Sequence, residues 1–183
     1  MASQAGWRRC LGVGWLISVA AGVPIPGQEL PGNGAMTRVR TCDARAAVLL
    51  RQGREGSPTF AAMLQRLEGS DLIVYVETRP LTLPGQMQLV AASPTCRYLR
   101  VSVHTPGLDT EQTAWLAHEL RHAVEIADAT DVRDQASLRR LYERIGAVGR
   151  YRAHSAETLG AQEIWTTVLH ELQRTPAGAA RRQ

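Results

Sequence analysis

The stretch that most limits what this chain can fold into is residues 109–128, which contain neither Gly nor Pro. Asp109 or Thr110 can cap the start of a helix here, and Asp109-x-x-Gln112 has the form of a capping box. With His118 placed at 0° on a 3.6-residue period, five apolar side chains fall on one face, at roughly 140–240°. These are Leu116, Leu120, Ala123, Val124 and Ala127. The sequence therefore predicts a long amphipathic helix packed on a core.

The opposite face of this helix carries a chemical motif, because residues 118–122 read His-Glu-x-x-His. On a helix, His118 and His122 are one turn and about 40° apart, so both imidazoles can bind one divalent ion, most often zinc. Glu119 lies about 100° round from His118, where it can reach a metal-activated water without being a ligand. The motif favours a zinc-dependent hydrolase with Glu119 as general base.

The alternative interpretation of this face is an ordinary solvated surface. Arg121 and Glu125 are four residues apart and can form a routine ion pair on a helix. The facing of His118 and His122 away from the apolar stripe predicts that they point at a cleft, at a second layer or at water.

A catalytic zinc usually needs a third protein ligand, and three carboxylates are candidates. Glu157 opens the last predicted helix, and the helix between can carry the chain out and back. Glu125 is one turn past His122, where it is better placed to orient that ring than to bind the metal. Asp128 can approach the two histidines only if the helix breaks between His122 and Asp128. The predicted order is Glu157, then Glu125, then Asp128, and the alternative for Glu157 is a first-turn carboxylate favoured by the helix dipole.

With these residues in view, the chain resembles the zincin metallopeptidases, and Glu157 makes it most similar to their gluzincin branch. The similarity runs from the predicted strand at residues 97–104 through the last helix. It implies zinc ligands at His118, His122 and Glu157, with Glu119 as the base that activates water. It also implies a peptide or protein substrate, which is held in extended form beside an edge strand by β-addition.

The chain departs from that family at several positions. Ala161 stands where the best-known gluzincins have an acidic residue, four positions after the third ligand. The transition-state donors of the family have no clear counterpart, and Tyr151 and His154 are the nearest candidates in sequence. The alternative function is therefore a catalytically inactive, zincin-like binding domain of the cell envelope. His104 and His170 are interpreted as surface residues.

The rest of the chain predicts an α+β fold with two N-terminal helices, a sheet of about three antiparallel or mixed strands, the His-Glu-x-x-His helix and two further C-terminal helices. We expect a linker at 24–40, a zincin-like domain at 41–175 and a disordered tail at 176–183. The predicted helices are 43–52, 57–69, 134–146 (from Asp134 or Ser137) and 155–172, and the strands are 72–76, 86–92 and 97–104. The last strand alternates like an edge or half-buried strand.

Residues 1–23 have the three parts of a secretory signal peptide, namely Arg8 and Arg9, an apolar run at 11–19 and small residues after it. They predict a secreted or periplasmic protein with no stable membrane insertion once the signal is removed. The alternative is an uncleaved membrane anchor. The apolar run is short and interrupted by Gly, which disfavours a spanning helix.

The chain has a net charge of +4 and contains no Lys. No basic stripe interleaved with aromatic residues is present, so nucleic-acid binding is not expected. Two cysteines, Cys42 and Cys96, follow the predicted signal. In an exported chain they permit one disulfide, and the alternative is two buried thiols.

Overall fold

The computed structural model describes residues 37–146 and 157–174. Its elements in chain order are β1 (Val39–Arg40), α1 (Ala44–Gly56), α2 (Pro58–Glu68), β2 (Leu72–Arg79), β3 (Gly85–Ala92), β4 (Arg97–His104), α3 (Asp109–Asp128), α4 (Gln135–Ile145) and α5 (Leu159–Arg174). The α+β class is confirmed. The predicted signal peptide at 1–23 and tail at 176–183 lie outside the described residues, as do Tyr151, His154 and Ser155.

The sheet has four strands in the order β1-β2-β4-β3. The first three in this order run parallel, and β3 runs antiparallel to β4. The prediction of three strands missed β1, which lies in the expected linker, because two residues are too few to show a period of two. Of the two predicted possibilities for β4, the edge strand was wrong, since β4 lies between β2 and β3, and the half-buried strand is confirmed.

One face of the sheet is covered by helices, and this explains the alternation seen in β4. Leu99 and Val101 are buried, whereas Arg100 between them is exposed. In β2, Val74 is fully buried and the next residue, Tyr75, is 45% exposed. The polar positions of β4 therefore mark the uncovered face of a central strand and not a sheet edge.

Helix α3 is the central element of the fold, because 14 of its 20 residues are buried. It packs on β3 and β4 with one side and on α5 with another. Its predicted capping box is absent: the N-cap is Leu108, which makes no side-chain cap. Asp109 instead pairs with Arg45, and the Gln112 amide donates to the His104 carbonyl oxygen. None of the described helices is long and apolar enough to cross a membrane.

Helices α1 and α2 show how a glycine can be misread. The predicted helix 43–52 ends just before Gly53, but α1 continues through this glycine to Gly56. A Cβ on Gly53 would lie 2.7 Å from the Phe60 ring, so the glycine is there to let α2 approach. The predicted start of α2 at residues 57–58 is confirmed, and the Ser57 hydroxyl caps the helix by accepting from the Phe60 N–H.

A fully buried arginine fixes the end of α3 to the sheet. One edge of the Arg97 guanidinium pairs with Asp71. Its Nε and Nη2 atoms lie 2.9 and 2.6 Å from the two carboxylate oxygens. Nη1 donates to the carbonyl oxygens of Ile126, Ala129 and Val132. The arginine thus satisfies the open carbonyl groups at the helix C-terminus, where a positive charge is also favoured by the helix dipole.

The two cysteines in the described residues are free thiols. Cys96 precedes Arg97, which pairs with Leu72, whereas Cys42 follows Arg40, which pairs with Tyr75. This register separates them by about six residue steps, or roughly 20 Å along the strands. A disulfide needs Cα atoms within about 7 Å, so the possible Cys42–Cys96 bridge does not form in this fold.

Candidate metal centre

The two histidines of the motif are buried inside a second helical layer. His118 is 5% exposed and His122 is 4% exposed. The interpretation of this face as a solvated surface was therefore wrong. The reason is α5, which packs on α3 and covers the side that faces away from the sheet, a contact that the helical period of residues 109–128 alone cannot reveal.

His118 presents one ring nitrogen to the site and holds the other in a hydrogen bond. Its Nδ1 lies 3.1 Å from the carbonyl oxygen of Ala161 in α5. Because a carbonyl can only accept, Nδ1 carries the hydrogen and Nε2 keeps its lone pair. Burial, with a further contribution from the nearby His122, lowers the pKa of His118 to about 4. His118 is thus a neutral imidazole with Nε2 free to bind a metal.

His122 is held in the same tautomer by Glu125. Its Nδ1 lies 2.9 Å from Glu125 Oε2, and the other carboxylate oxygen accepts from the Thr158 hydroxyl at 2.7 Å. Burial alone lowers the pKa of His122, but the hydrogen bond to Glu125 and the charge of Glu119 raise it to a net value above the usual one. Glu125 therefore lies where a carboxylate orients a ligating histidine, as its position in sequence predicted.

Glu119 lies on the side of α3 that faces the start of β3. It is 6% exposed, and burial, together with the charge of Glu157, raises its pKa to about 7. A Cβ on Gly85 would lie 2.6 Å from Glu119 Oε1, so only glycine leaves room for this carboxylate. A carboxyl group with a pKa near neutrality is suited to accept and release a proton.

Of the three candidate third ligands, Glu125 contacts the outward Nδ1 of His122, whereas Glu157 lies near a ring nitrogen that is free to bind a metal. Its Oε1 lies 3.6 Å from His118 Nε2 and is buried without a hydrogen-bond partner among the described residues. Asp128 is remote: its side chain is 55% exposed and pairs with Arg66. The structure therefore groups His118, His122 and Glu157 in one place and leaves Asp128 out.

These residues fit a zinc ion chemically. Two ligand atoms about 2.0–2.1 Å from a tetrahedral zinc are roughly 3.4 Å apart, close to the observed separation of His118 Nε2 and Glu157 Oε1. The unpartnered Glu157 oxygen also lacks the donor that a buried carboxylate requires. Within residues 37–146 and 157–174, however, no three His, Cys, Asp or Glu side chains form a ready-made metal site. What the structure holds is a suitable donor set.

Sequence reasoning missed the aromatic residues around this donor set. The Tyr142 ring lies edge-on to His122, with centroids 5.6 Å apart, and its buried hydroxyl has no partner in the described part of the chain. Trp115 contacts His118 and Trp165, each with centroids 5.4 Å apart. Trp115 is three residues before His118 and could have been found from helical spacing. Tyr142 and Trp165 come from other helices and carry no such signal.

The two remaining histidines of the described residues behave differently from each other. His170 in α5 is exposed, as predicted. His104 is half-buried, and its Nδ1 accepts from the Leu81 N–H at 3.0 Å. The expectation of a surface histidine at 104 is met only in part, because the ring also ties the β2–β3 loop to the end of β4.

Comparison of the chain with protein-family models, with curated proteins and with solved structures finds no match in any of the three. The site must therefore be interpreted from its own chemistry.

Proposed function

We propose that this chain is an exported zinc-dependent hydrolase that cleaves peptides, with a zincin-like domain of the gluzincin type. The observation that carries the proposal is the pairing of two imidazoles, each with Nδ1 engaged and Nε2 free, beside a buried carboxylate oxygen without a partner. His118, His122 and Glu157 would hold the ion. The export part of the proposal rests on the composition of residues 1–23.

The chain's own residues supply the proton chemistry. A bound zinc ion would contribute Lewis acidity, which acidifies water and polarises a carbonyl group. Glu119 accepts a proton from the attacking water and passes it to the nitrogen of the leaving amine as the peptide bond breaks. Glu125 and Thr158 keep the His122 ring fixed during this exchange, because they form a continuous hydrogen-bonded chain behind it.

The position of β3 supports a peptide as the substrate. β3 is at one edge of the four-stranded sheet, and its first residue, Gly85, lies against the Glu119 carboxylate. An extended peptide can add to such an edge through main-chain hydrogen bonds. In this arrangement the scissile bond would pass close to Glu119.

Two measurements test the proposal. Elemental analysis should find stoichiometric zinc in the wild type and little in His122→Ala, whereas His170→Ala, an exposed histidine control, should keep it. Glu119→Gln should keep zinc and lower peptide hydrolysis by about 10²–10⁴-fold, the usual contribution of a general base. Glu111→Gln, an exposed acid on the same helix, should leave hydrolysis unchanged. Full activity in Glu119→Gln would end the proposal.

A second candidate function is a zinc-binding domain without turnover. It is favoured by the burial of Glu119, which is 6% exposed and lies under Gly85. It predicts stoichiometric zinc in the wild type that His122→Ala removes, together with no cleavage of any peptide in a mixed library.

A further inference from the structure

A cavity of about 570 Å³ lies beside the candidate metal centre, between the C-terminal half of α3, the end of α4 and the start of α5. Glu125 lines it, but His118, Glu119, His122 and Glu157 do not. The cavity is therefore a separate space that meets the candidate centre through Glu125 and Thr158, which lie behind His122. Its volume is within the range of small-molecule sites.

Two arginines, Arg121 and Arg144, lie on the wall of this cavity. The Nε atom of Arg121 is buried and has no hydrogen-bond partner among the described residues. Its nearest carboxylate oxygen, Glu125 Oε1, is 3.6 Å away, an ion-pair distance but too long for a hydrogen bond. Glu125 already accepts from Thr158 and His122. The Arg121 side chain is 35% exposed, so its terminal guanidinium nitrogens, unlike the buried Nε, stay accessible to a ligand in the cavity.

The start of α5 adds a second positive element to the same wall. Leu159 and Gly160, in the first turn, line the cavity, and this turn contains no acidic residue. A Cβ on Gly160 would lie 3.1 Å from Arg121 Nε, so the glycine lets the guanidinium lie against the helix. A cation at the positive end of a helix dipole is unfavourable by itself, and an anion held between the two removes the conflict.

The remaining charges on the wall restrict which anion fits. Asp128 is paired with Arg66, and Asp131 is exposed. Both would repel a multiply charged ligand such as phosphate. Leu141, Ile145 and Leu159 supply an apolar portion of the lining. These features suit one negative charge joined to an apolar group.

We propose that this cavity binds a small apolar monocarboxylate, whose carboxylate accepts hydrogen bonds from Arg121 and Arg144 beside the start of α5. A carboxylate is planar and matches the fork of an arginine side chain, so two parallel hydrogen bonds can form. The apolar part of the ligand lies against the leucine and isoleucine side chains. The site does not depend on zinc or on hydrolytic activity.

Calorimetric titration of the full chain with N-acetyl-leucine tests the proposal, with the uncharged N-acetyl-leucinamide and inorganic phosphate as comparison ligands. The wild type should bind N-acetyl-leucine saturably and at least about tenfold more tightly than either comparison ligand. Arg121→Gln and Arg144→Gln should each weaken binding by about tenfold or more, the usual effect of losing a hydrogen bond to a charged group. Arg139→Gln, an exposed arginine on α4 outside the cavity, should bind like the wild type.

Three results would overturn the proposal: no saturable binding by the wild type, equal affinity for the amide or phosphate, or unchanged affinity in Arg144→Gln. Arg144 is exposed, so its substitution should not disturb folding even if that of Arg121 does. Gly160→Ala provides a further check, because the added methyl group displaces the Arg121 guanidinium without removing its charge. It should weaken N-acetyl-leucine and leave zinc content unchanged.

Discussion

Two groups of buried polar side chains contact α3: Arg97 of β4 binds its C-terminus, and His118 and His122 lie in its middle. The two groups differ in how many of their polar atoms have hydrogen-bond partners. The fully buried Arg97 side chain makes hydrogen bonds to Asp71 and to three carbonyl oxygens. Around the histidines, the Glu157 and Tyr142 side chains have buried oxygens without partners in the described residues. The pKa of Glu119 is raised to about 7 by burial.

The difference separates a structural role from a functional one. A buried charge that uses all its donors holds the fold together and has nothing left for a ligand. Buried groups that keep unused atoms and shifted pKa values lower stability, and they persist where a ligand or a reaction needs them. By this measure Arg97 is a structural clamp that holds the end of α3 to the sheet, whereas the histidine cluster has the features of a functional site.

The largest expected effect on stability comes from breaking the clamp. Arg97→Met should lower the free energy of unfolding by about 3–5 kcal/mol, because Asp71 and three carbonyl groups lose a buried charged partner. Urea denaturation measures this change. Arg133→Met is the matched control, since Arg133 lies 3.7 Å from Asp71 with a 40% exposed side chain, and it should cost less than about 1 kcal/mol. Equal losses would mean that Arg97 is no clamp.

The next effect should be a stabilisation, and it should depend on pH. Burial raises the pKa of Glu119 from 4.5 to about 7 in the folded metal-free protein. The folded state therefore holds this proton up to a higher pH than the unfolded state does. The stability that the proton contributes is fully present below about pH 4.5 and is lost as the pH rises through 7. Glu119→Gln should raise the free energy of unfolding at pH 8 by on the order of 2–3 kcal/mol and leave it unchanged at pH 4.

The clamp should show the opposite dependence. The hydrogen bond from Arg97 lowers the pKa of Asp71, so the stability that this carboxylate contributes is present above its ordinary pKa and is lost in acid. Asp71→Asn should therefore destabilise more at pH 7 than at pH 3. Denaturation curves at these pH values check both signs, and a shared sign would remove the distinction between the two regions.

Zinc affinity should rank the three carboxylates that the sequence offered as candidate ligands. Glu157→Ala should weaken zinc binding most, because it removes a proposed ligand. Glu125→Ala should weaken it by about 10–100-fold, the usual effect of losing the partner that orients a ligating histidine. Asp128→Ala, which alters only an exposed pair with Arg66, should have no effect. Competition with a chromogenic chelator measures all three, and an unchanged affinity in Glu157→Ala would exclude Glu157 as a ligand.

The smallest expected effect tests whether the Tyr142 hydroxyl is an unused group. It is buried, and no partner for it exists in the part of the chain that the structure describes. Tyr142→Phe should therefore leave the free energy of unfolding unchanged or raise it by about 1 kcal/mol. Tyr142→Ala should lower it, because the ring that packs on His122 is lost. Thermal unfolding of both variants measures these changes. A large loss of stability in Tyr142→Phe would show that the hydroxyl is paired.

The local elements were predictable because their signals are short-range. The extent of α3, the bounds of β4 and the caps at Ser57 and Asp134 follow from neighbouring residues. The caps at Asp109 and Gly53 were misread, because contacts with distant parts of the chain decide them. Asp109 pairs with Arg45 in α1, and Gly53 makes room for the Phe60 ring.

The order of the strands and the burial of the site were beyond the sequence for the same reason. Alternation along β4 shows only that one face is covered and says nothing about which strands flank it. The hydrogen bond from His118 to Ala161 joins residues 43 apart in the chain. No spacing rule connects them.

The sequence by itself determined that His118, His122 and Glu125 lie on one face of a helix, because the 3.6-residue period fixes the direction in which each side chain points. Tertiary structure decided what that face meets, by laying α5 over it, burying the rings and bringing Glu157, Thr158 and Tyr142 alongside. The physical reason is that dihedral preferences act over a few residues. Burial and pKa shifts depend instead on whatever long-range packing places nearby.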